Sequence, residues 1–571
     1  MFWDGTMATN FSVFSKTLMD EYLSWDPVYS TQLGWHKYDK SMRDVSRQAV
    51  EQQAIRCTQL IDELKKFPLD SLTPDERVDR ALAEHILRLW LYEVRELKMH
   101  ERVSSAATDI GNALFPLMVR EHPTFDERLD AIIARLESVP QFLERSRTAL
   151  RAPNRVWNEE ALEAGKEMPA LLRGVEALVV SKPLTTDRRE RLTKAMKTAA
   201  EELEKHNAWL KNTVIPRASP RYALTPSEYA SYLSMKGYGV NPDEALRIGE
   251  VYLDLAKRRM RETVREILPG GDLTKALEMM KSDRPRTFEE AFNEYKDAVK
   301  RCREFVIKGN LLTVPSGEDL VVLETPEFMR PIIPFQTQLE PGKFDTSRTG
   351  LFLVTPTGDN VELLKEHAFS TIANSAVHEG YPGHHIQSIC SRSNPSYIRA
   401  LCFSPDFLEG WALYVENLML QQGFNSTPMG RLANLNDMIY RIVRLIAEIK
   451  LSKGFLTLDS AAELFRRECG TEITSAKVEA RSCAMFPAYY SAYLIGRLAI
   501  LQLREEVQSA MAEKYSLKAF HDLLLNSGCM PVKFMRDAVA VRLKEQYGVD
   551  MPPRKESLYQ YAMRRAKSGN P

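Results

Sequence analysis

The sequence predicts a mainly helical protein with one minor sheet. Three observations predict it. Residues 10–215 read as helices of mixed polarity, β-like runs are confined to residues 310–356, and everything after about Val361 returns to helix. The first helices are expected at Val50–Lys66, Pro74–Lys98 and Asp187–Val214. The Pro216-Arg217-Ala218-Ser219-Pro220 step is the best internal joint. It divides an N-terminal helical region, 1–215, from a region 216–571. Helix starts follow at Thr225-Pro226-Ser227-Glu228 and Asn241-Pro242-Asp243-Glu244, where a side-chain cap precedes proline and a glutamate returns to the cap. A further helix, Phe288 to Ile307, is stopped by Gly309. Leu320-Val321-Val322-Leu323 and Leu351-Phe352-Leu353-Val354 are short β-like runs set among proline and glycine.

Composition narrows the function classes. Lys plus Arg and Asp plus Glu both number 77, so there is no basic excess to mark a nucleic-acid surface. No apolar run approaches the roughly 18 residues of a membrane span. Met1-Phe2-Trp3-Asp4-Gly5 lacks the charged and apolar regions of a secretory signal. The seven cysteines are scattered, odd in number and form no C-x-x-C pair, which fits reduced thiols in a cytoplasmic protein.

Histidine is scarce, with 10 in 571 residues, yet four fall between His367 and His385. The dense part reads His378-Glu379-Gly380-Tyr381-Pro382-Gly383-His384-His385. Imidazole binds zinc well, and a carboxylate beside a bound water can take its proton. The usual zinc helix, H-E-x-x-H, places its histidines at i and i+4. Here i+4 from His378 is Pro382, which cannot ligate and breaks a helix. A two-residue insertion reconciles the pattern: the chain bulges at Pro382-Gly383, and His384 re-enters near the i+4 place. His385, at i+7, is the competing ligand.

A catalytic zinc needs about three protein ligands. Ser404 is a fitting N-cap and Pro405 a fitting first residue for a helix running to about Gln422, with Gly423 after it. Glu409 and Glu416 share one face of this helix with Ala412, Leu413 and Leu420, so that face looks inward. Two inward carboxylates are costly unless paired or metal-bound. Glu409 as a ligand, with Glu416 orienting a histidine, removes the cost.

These motifs, with Glu409-Gly410-Trp411-Ala412-Leu413-Tyr414 and Glu416, resemble the domain of unknown function 885 family, whose signature is H-E-x-x-P-G-H. The resemblance extends over about 10–560 as one continuous family domain. It includes Leu33-Gly34-Trp35-His36-Lys37-Tyr38-Asp39, Pro326 to Pro331, Phe344-Asp345 and His521-Asp522 through Pro531. It implies kinship with gluzincin peptidases: a multi-helical metallopeptidase fold, a small sheet beside the zinc helix and a deep cleft. The sheet's edge strand would pair with an extended substrate. Aligning Gly383-His384 with the gluzincin Gly-His favours His384. One zinc per chain, held by His378, His384 and Glu409, is implied. Three positions depart from the family pattern: Glu448, Ser452 and Tyr490.

The mechanism expected from this set is hydrolysis of oligopeptides, with Glu379 taking a proton from water and passing it to the leaving amine. Tyr493 is the first choice of donor to the oxyanion, with Tyr490, His385 and Arg481 in reserve. Arg441, Arg444 and Arg481 are suited to a substrate carboxylate, or else to neutralising Glu416 or Glu448. Two other classes use the same residues differently: a metal amidohydrolase of modified amino acids, and a silent binding protein on a peptidase scaffold.

Overall fold

A computed structural model describes residues 10–121, 123–180, 182–330, 333, 335–358 and 360–569. The Met1–Gly5 reading and Pro331 lie outside them. The chain forms two compact units. One comprises the residues up to Arg221 with Pro341–Ser347 and Asn394–Cys402; the other comprises Tyr222–Glu340, Arg348–Ser393 and Phe403 onward.

The named elements described in the first unit are all helices. Its expected helices are present with shifted ends, at Arg47–Lys65, Pro74–Tyr92 and Thr186–Trp209. The last two each run on into a π-helical turn, Glu93–Leu97 and Leu210–Val214. Thr73 caps the second helix through a box with Glu76. The segment around His36 is a buried polar node. His36 Nδ1 meets Asp39 Oδ2 at 2.8 Å, and Nε2 meets Asp345 Oδ1 at 2.9 Å. Gly34 must be glycine: its φ is +76°, and a Cβ there would lie 2.5 Å from Asp345 Oδ1.

Burial opposes the His36 charge, but the two aspartates outweigh it and raise its pKa to about 9. The folded value is above the unfolded one. The contribution is therefore fully present below about pH 6.5 and is lost as pH rises through 9. The expected size is about 3 kcal/mol at most. Urea midpoints at pH 6 and pH 9.5 should show this loss in the wild type and not in His36→Gln. Parallel pH dependence in the two proteins would refute it.

The second unit holds the sheet. Strand β1 (Asp319–Glu324) pairs in parallel with β3 (Thr349–Val354), and β2 (Gln336–Leu339) pairs antiparallel with the other side of β3. β1 and β3 match the two apolar runs. β2 was not expected: Gln-Thr-Gln-Leu has no apolar alternation, and all four residues are half-buried. Phe352, at 0% exposure, and Val354 put the inner face of β3 into the core.

The helix Pro405–Gln421 crosses the helix Ser491–Met511 at two glycines. A Cβ on Gly410 would lie 2.5 Å from the backbone of Gly496, and one on Gly496 would lie 1.9 Å from Asp406 O. Ser404 does not cap as expected. Its hydroxyl donates to Asp406 instead, whose other oxygen accepts from Val532 N–H at 2.9 Å. Gly423 ends the turn with φ +100°. Among the described residues no helix is long and apolar enough to cross a membrane.

Candidate functional site

The helix Phe369–Ser375 does not stop at His378. It widens into a π turn, Ala376–Gly380, leaves through a cis Tyr381–Pro382 bond, and restarts as the helix His384–Arg392. The restart puts His384 at the first helical position, with its ring edge-on to His378 at 4.7 Å between centroids. Glu409 reaches in from the Pro405–Gln421 helix. One ligand atom from each of His378, His384 and Glu409 falls within 4.8 Å of the others.

The tautomers are set from behind. His378 Nδ1 lies 2.6 Å from the Glu416 Oε1 acceptor, so this nitrogen donates and Nε2 is the one turned toward Glu409. His384 Nδ1 faces Gln387 Oε1 at 3.4 Å. The Gln387 amide is oriented by donating from Nε2 to Phe407 O at 2.8 Å. Both Nε2 atoms point to Glu409 Oε2 but stop 3.8 and 3.6 Å away, beyond hydrogen-bond reach. Glu409 Oε2 is buried and has no hydrogen-bond partner among the described residues. Its other oxygen accepts from the Tyr489 hydroxyl at 2.9 Å.

Glu416 is fully buried and surrounded by donors. Oε1 takes His378 and Arg441, the latter at 3.1 Å; Oε2 takes Asn374 at 3.1 Å and Asn434 at 3.2 Å. Burial alone would raise its pKa, but Arg441 and His378 outweigh it and hold the carboxyl down at about 2. Glu409 is likewise held at about 2, against burial, by the two histidines and Tyr489. Burial lowers the His384 pKa and Glu409 more than restores it, to about 9. Glu379 is half-buried on the π turn and makes no hydrogen bond or ion pair among the described residues.

The remaining candidates divide. Tyr493 is buried, its ring edge-on to Tyr489 at 6.1 Å and under the Arg441 guanidinium at 5.9 Å. Burial, then Glu409, pushes its phenol well up. The Tyr490 hydroxyl is joined to Ser482 at 2.5 Å, and its ring lies under Arg444. Arg481 is half-buried on the helix Ile473–Met485.

His385 does not share the cluster, either as a competing ligand or as an oxyanion donor. It is fully buried, its Nε2 bound to Glu318 at 2.8 Å and its Nδ1 facing Gly350. Arg441 is paired with Glu416. Arg444 is paired bidentately with Glu479, at 2.8 and 3.0 Å, rather than with Glu448. Glu448 is instead satisfied by the Tyr229 and Ser491 hydroxyls and Tyr490 N–H, and burial lifts it to about 7.

Tyr489, Asn374, Asn434 and Glu318 were not singled out from the sequence. Tyr489 sits beside two residues that were. Asn374 and Asn434 are amides at buried helix positions, a signal that was available.

Fold and cluster together define a class: a mainly helical protein whose two clustered histidines flank a break in one helix and meet a glutamate from the next long one. The chain belongs to the family described as "Bacterial protein of unknown function (DUF885)", whose model matches residues 27–539. Two solved structures share the fold. A candidate lipoprotein of unknown function from Shewanella oneidensis is 20% identical, covering 93% of this chain and 99% of its own, with a TM-score of 0.77. A second candidate lipoprotein, from Colwellia psychrerythraea, is 17% identical, covering 94% and 99%, with a TM-score of 0.78. No curated protein matches the chain.

Proposed function

We propose that this protein is a zinc-dependent peptidase of gluzincin type acting on oligopeptides. The observation that carries the reading is Glu409 Oε2, buried without a hydrogen-bond partner among the described residues, with the Nε2 atoms of His378 and His384 3.8 and 3.6 Å from it. Buried carboxylate oxygens are ordinarily satisfied, and two imidazoles with one carboxylate form a zinc donor set. His378, His384 and Glu409 would hold the ion. When bound, zinc supplies Lewis acidity toward a carbonyl and toward water.

The chain's own residues do the rest. Glu379 is free to take a proton and deliver it to a leaving amine. We assign the donor to the oxyanion to Tyr493, whose ring is edge-on to Tyr489. Glu416 and Gln387 keep the histidine protons on Nδ1. Among the described residues strand β2 pairs only with β3, and Gln336 Nε2 ties it to Ser375 Oγ at 2.7 Å, just before the π turn. We assign that edge to an extended peptide, and the restriction to oligopeptides to the cleft that gluzincin kinship implies.

The test is metal content by elemental mass spectrometry, with a mixed peptide pool as substrate, on wild type, His384→Ala and His385→Ala. About one zinc per chain is expected in wild type, and in His385→Ala once zinc is added back in excess, with His384→Ala losing both zinc and activity even then. A wild type that stays metal-free after zinc is added back overturns the reading and leaves a binding scaffold. Bound zinc with turnover of acyl-amino acids but not peptides makes the protein an amidohydrolase. No disulfide joins the seven cysteines among the described residues, and we propose a cytoplasmic location, where thiols stay reduced. The two solved relatives are described as candidate lipoproteins, so cell fractionation decides between the cytoplasm and the envelope.

A further inference from the structure

We propose that Glu318 is a positioning residue for this site, clamping both ends of the break between His378 and His384. The inference rests on the zinc reading above. In a continuous helix the i, i+4 repeat alone sets two histidines on one face. Here the repeat is interrupted by Pro382, so tertiary contacts must set where His384 stands. One of them, with a close approach inside the turn, acts on the break itself. Trp411 Nε1–H donates to Pro382 O at 2.8 Å, and Gly383 packs so closely that a Cβ would lie 1.9 Å from His378 O.

Glu318 acts on the flanks. Its Oε2 accepts from the Tyr381 hydroxyl at 2.5 Å and meets His385 Nε2 at 2.8 Å. Tyr381 is the residue before Pro382, and His385 is the residue after His384. One oxygen thus ties the last residue before the break to the first turn after it. The second oxygen, Oε1, accepts from Arg303 Nε at 2.9 Å, and that guanidinium lies over the Tyr381 ring at 6.0 Å.

The Glu318 and His385 side chains are both 0% exposed, so neither can exchange these partners for water. A buried carboxylate with three donors has one low-energy arrangement. The frame behind it is the sheet. Glu318 immediately precedes β1, and β1 pairs along its length with β3. On β3, Gly350 backs the His385 ring, where a Cβ would come 2.6 Å from Nδ1. The sheet therefore anchors the metal-ligating turn as well as offering an edge to substrate. This gives His385 a task other than ligation.

The test is zinc affinity, measured by competition against a chelating indicator, with the absorption spectrum of the cobalt-loaded chain reporting ligand geometry. Glu318→Gln should weaken zinc by about 10–100-fold, as second-layer changes at metal sites do, and should alter the cobalt spectrum. Tyr381→Phe removes one hydroxyl from the same clamp and should shift affinity several-fold in the same direction. Asp79→Asn, which breaks the buried Arg399 pair in the other unit, should lower the melting temperature with affinity and spectrum unchanged. If Glu318→Gln fails to fold, Tyr381→Phe decides. Wild-type affinity and an unchanged cobalt spectrum in the folded clamp variants would overturn the proposal while leaving the zinc reading standing. A wild type that binds neither metal would overturn both.

Discussion

Glutamine in place of Glu379 should lower kcat for peptide hydrolysis by about 10²–10⁴-fold, the range that a positioned general base contributes, with zinc content unchanged. The separation of the two effects follows from the geometry. Glu379 is next in sequence to His378, yet it is not one of the three residues whose donor atoms converge. Its carboxylate has no hydrogen bond or ion pair among the described residues, unlike Glu409, Glu416 and Glu318, each of which is fixed by at least one strong donor. The proposed base is thus a half-buried acid without a structural partner among the described residues. Glutamine keeps the shape and removes the basicity, so KM should change little. Stopped-time assays on the zinc-loaded variant check this. Turnover within a few-fold of wild type would remove Glu379 from the role.

What was legible in the sequence, and what was not, follows from the range of each interaction. His378, Glu379, His384, Glu409 and Glu416 could be selected because spacing within one or two helices groups them. The choice between His384 and His385 could not be made by counting, since helical periodicity does not carry through the π turn and the break at Pro382. The structure separates them by giving His385 a carboxylate of its own. Glu318 is a single acid before a strand, and its partners lie 15, 63 and 67 residues away, so no local pattern marks it. In the tyrosine segment, three phenols within five positions are visible. Which of them meets Glu409 depends on the backbone at Ala488, with φ +60° and its carbonyl held by the Tyr238 hydroxyl at 2.7 Å. β2 went unseen because an edge strand with half-exposed glutamines has no apolar repeat.

Changing Glu416 to glutamine should be far more damaging than its near-isosteric shape suggests. Both of its oxygens face donors only: His378 and Arg441 on one side, Asn374 and Asn434 on the other. An amide has one NH₂, and either orientation turns it against a donor. The change also removes the charge opposite Arg441. Breaking a buried pair from one side costs roughly 3–5 kcal/mol, and a histidine that loses its acceptor should bind zinc about 10–100-fold more weakly. Chemical denaturation and zinc titration measure the two losses separately. Replacing both partners, Glu416→Leu with Arg441→Met, should recover at least about half of the stability, because hydrophobic substitutes for a buried ion pair are often neutral or better. It should recover none of the zinc affinity, since nothing then holds the His378 proton on Nδ1. If the double variant regains affinity along with stability, Glu416 contributes only to the fold. If stability returns and affinity does not, its carboxylate serves the metal site in its own right.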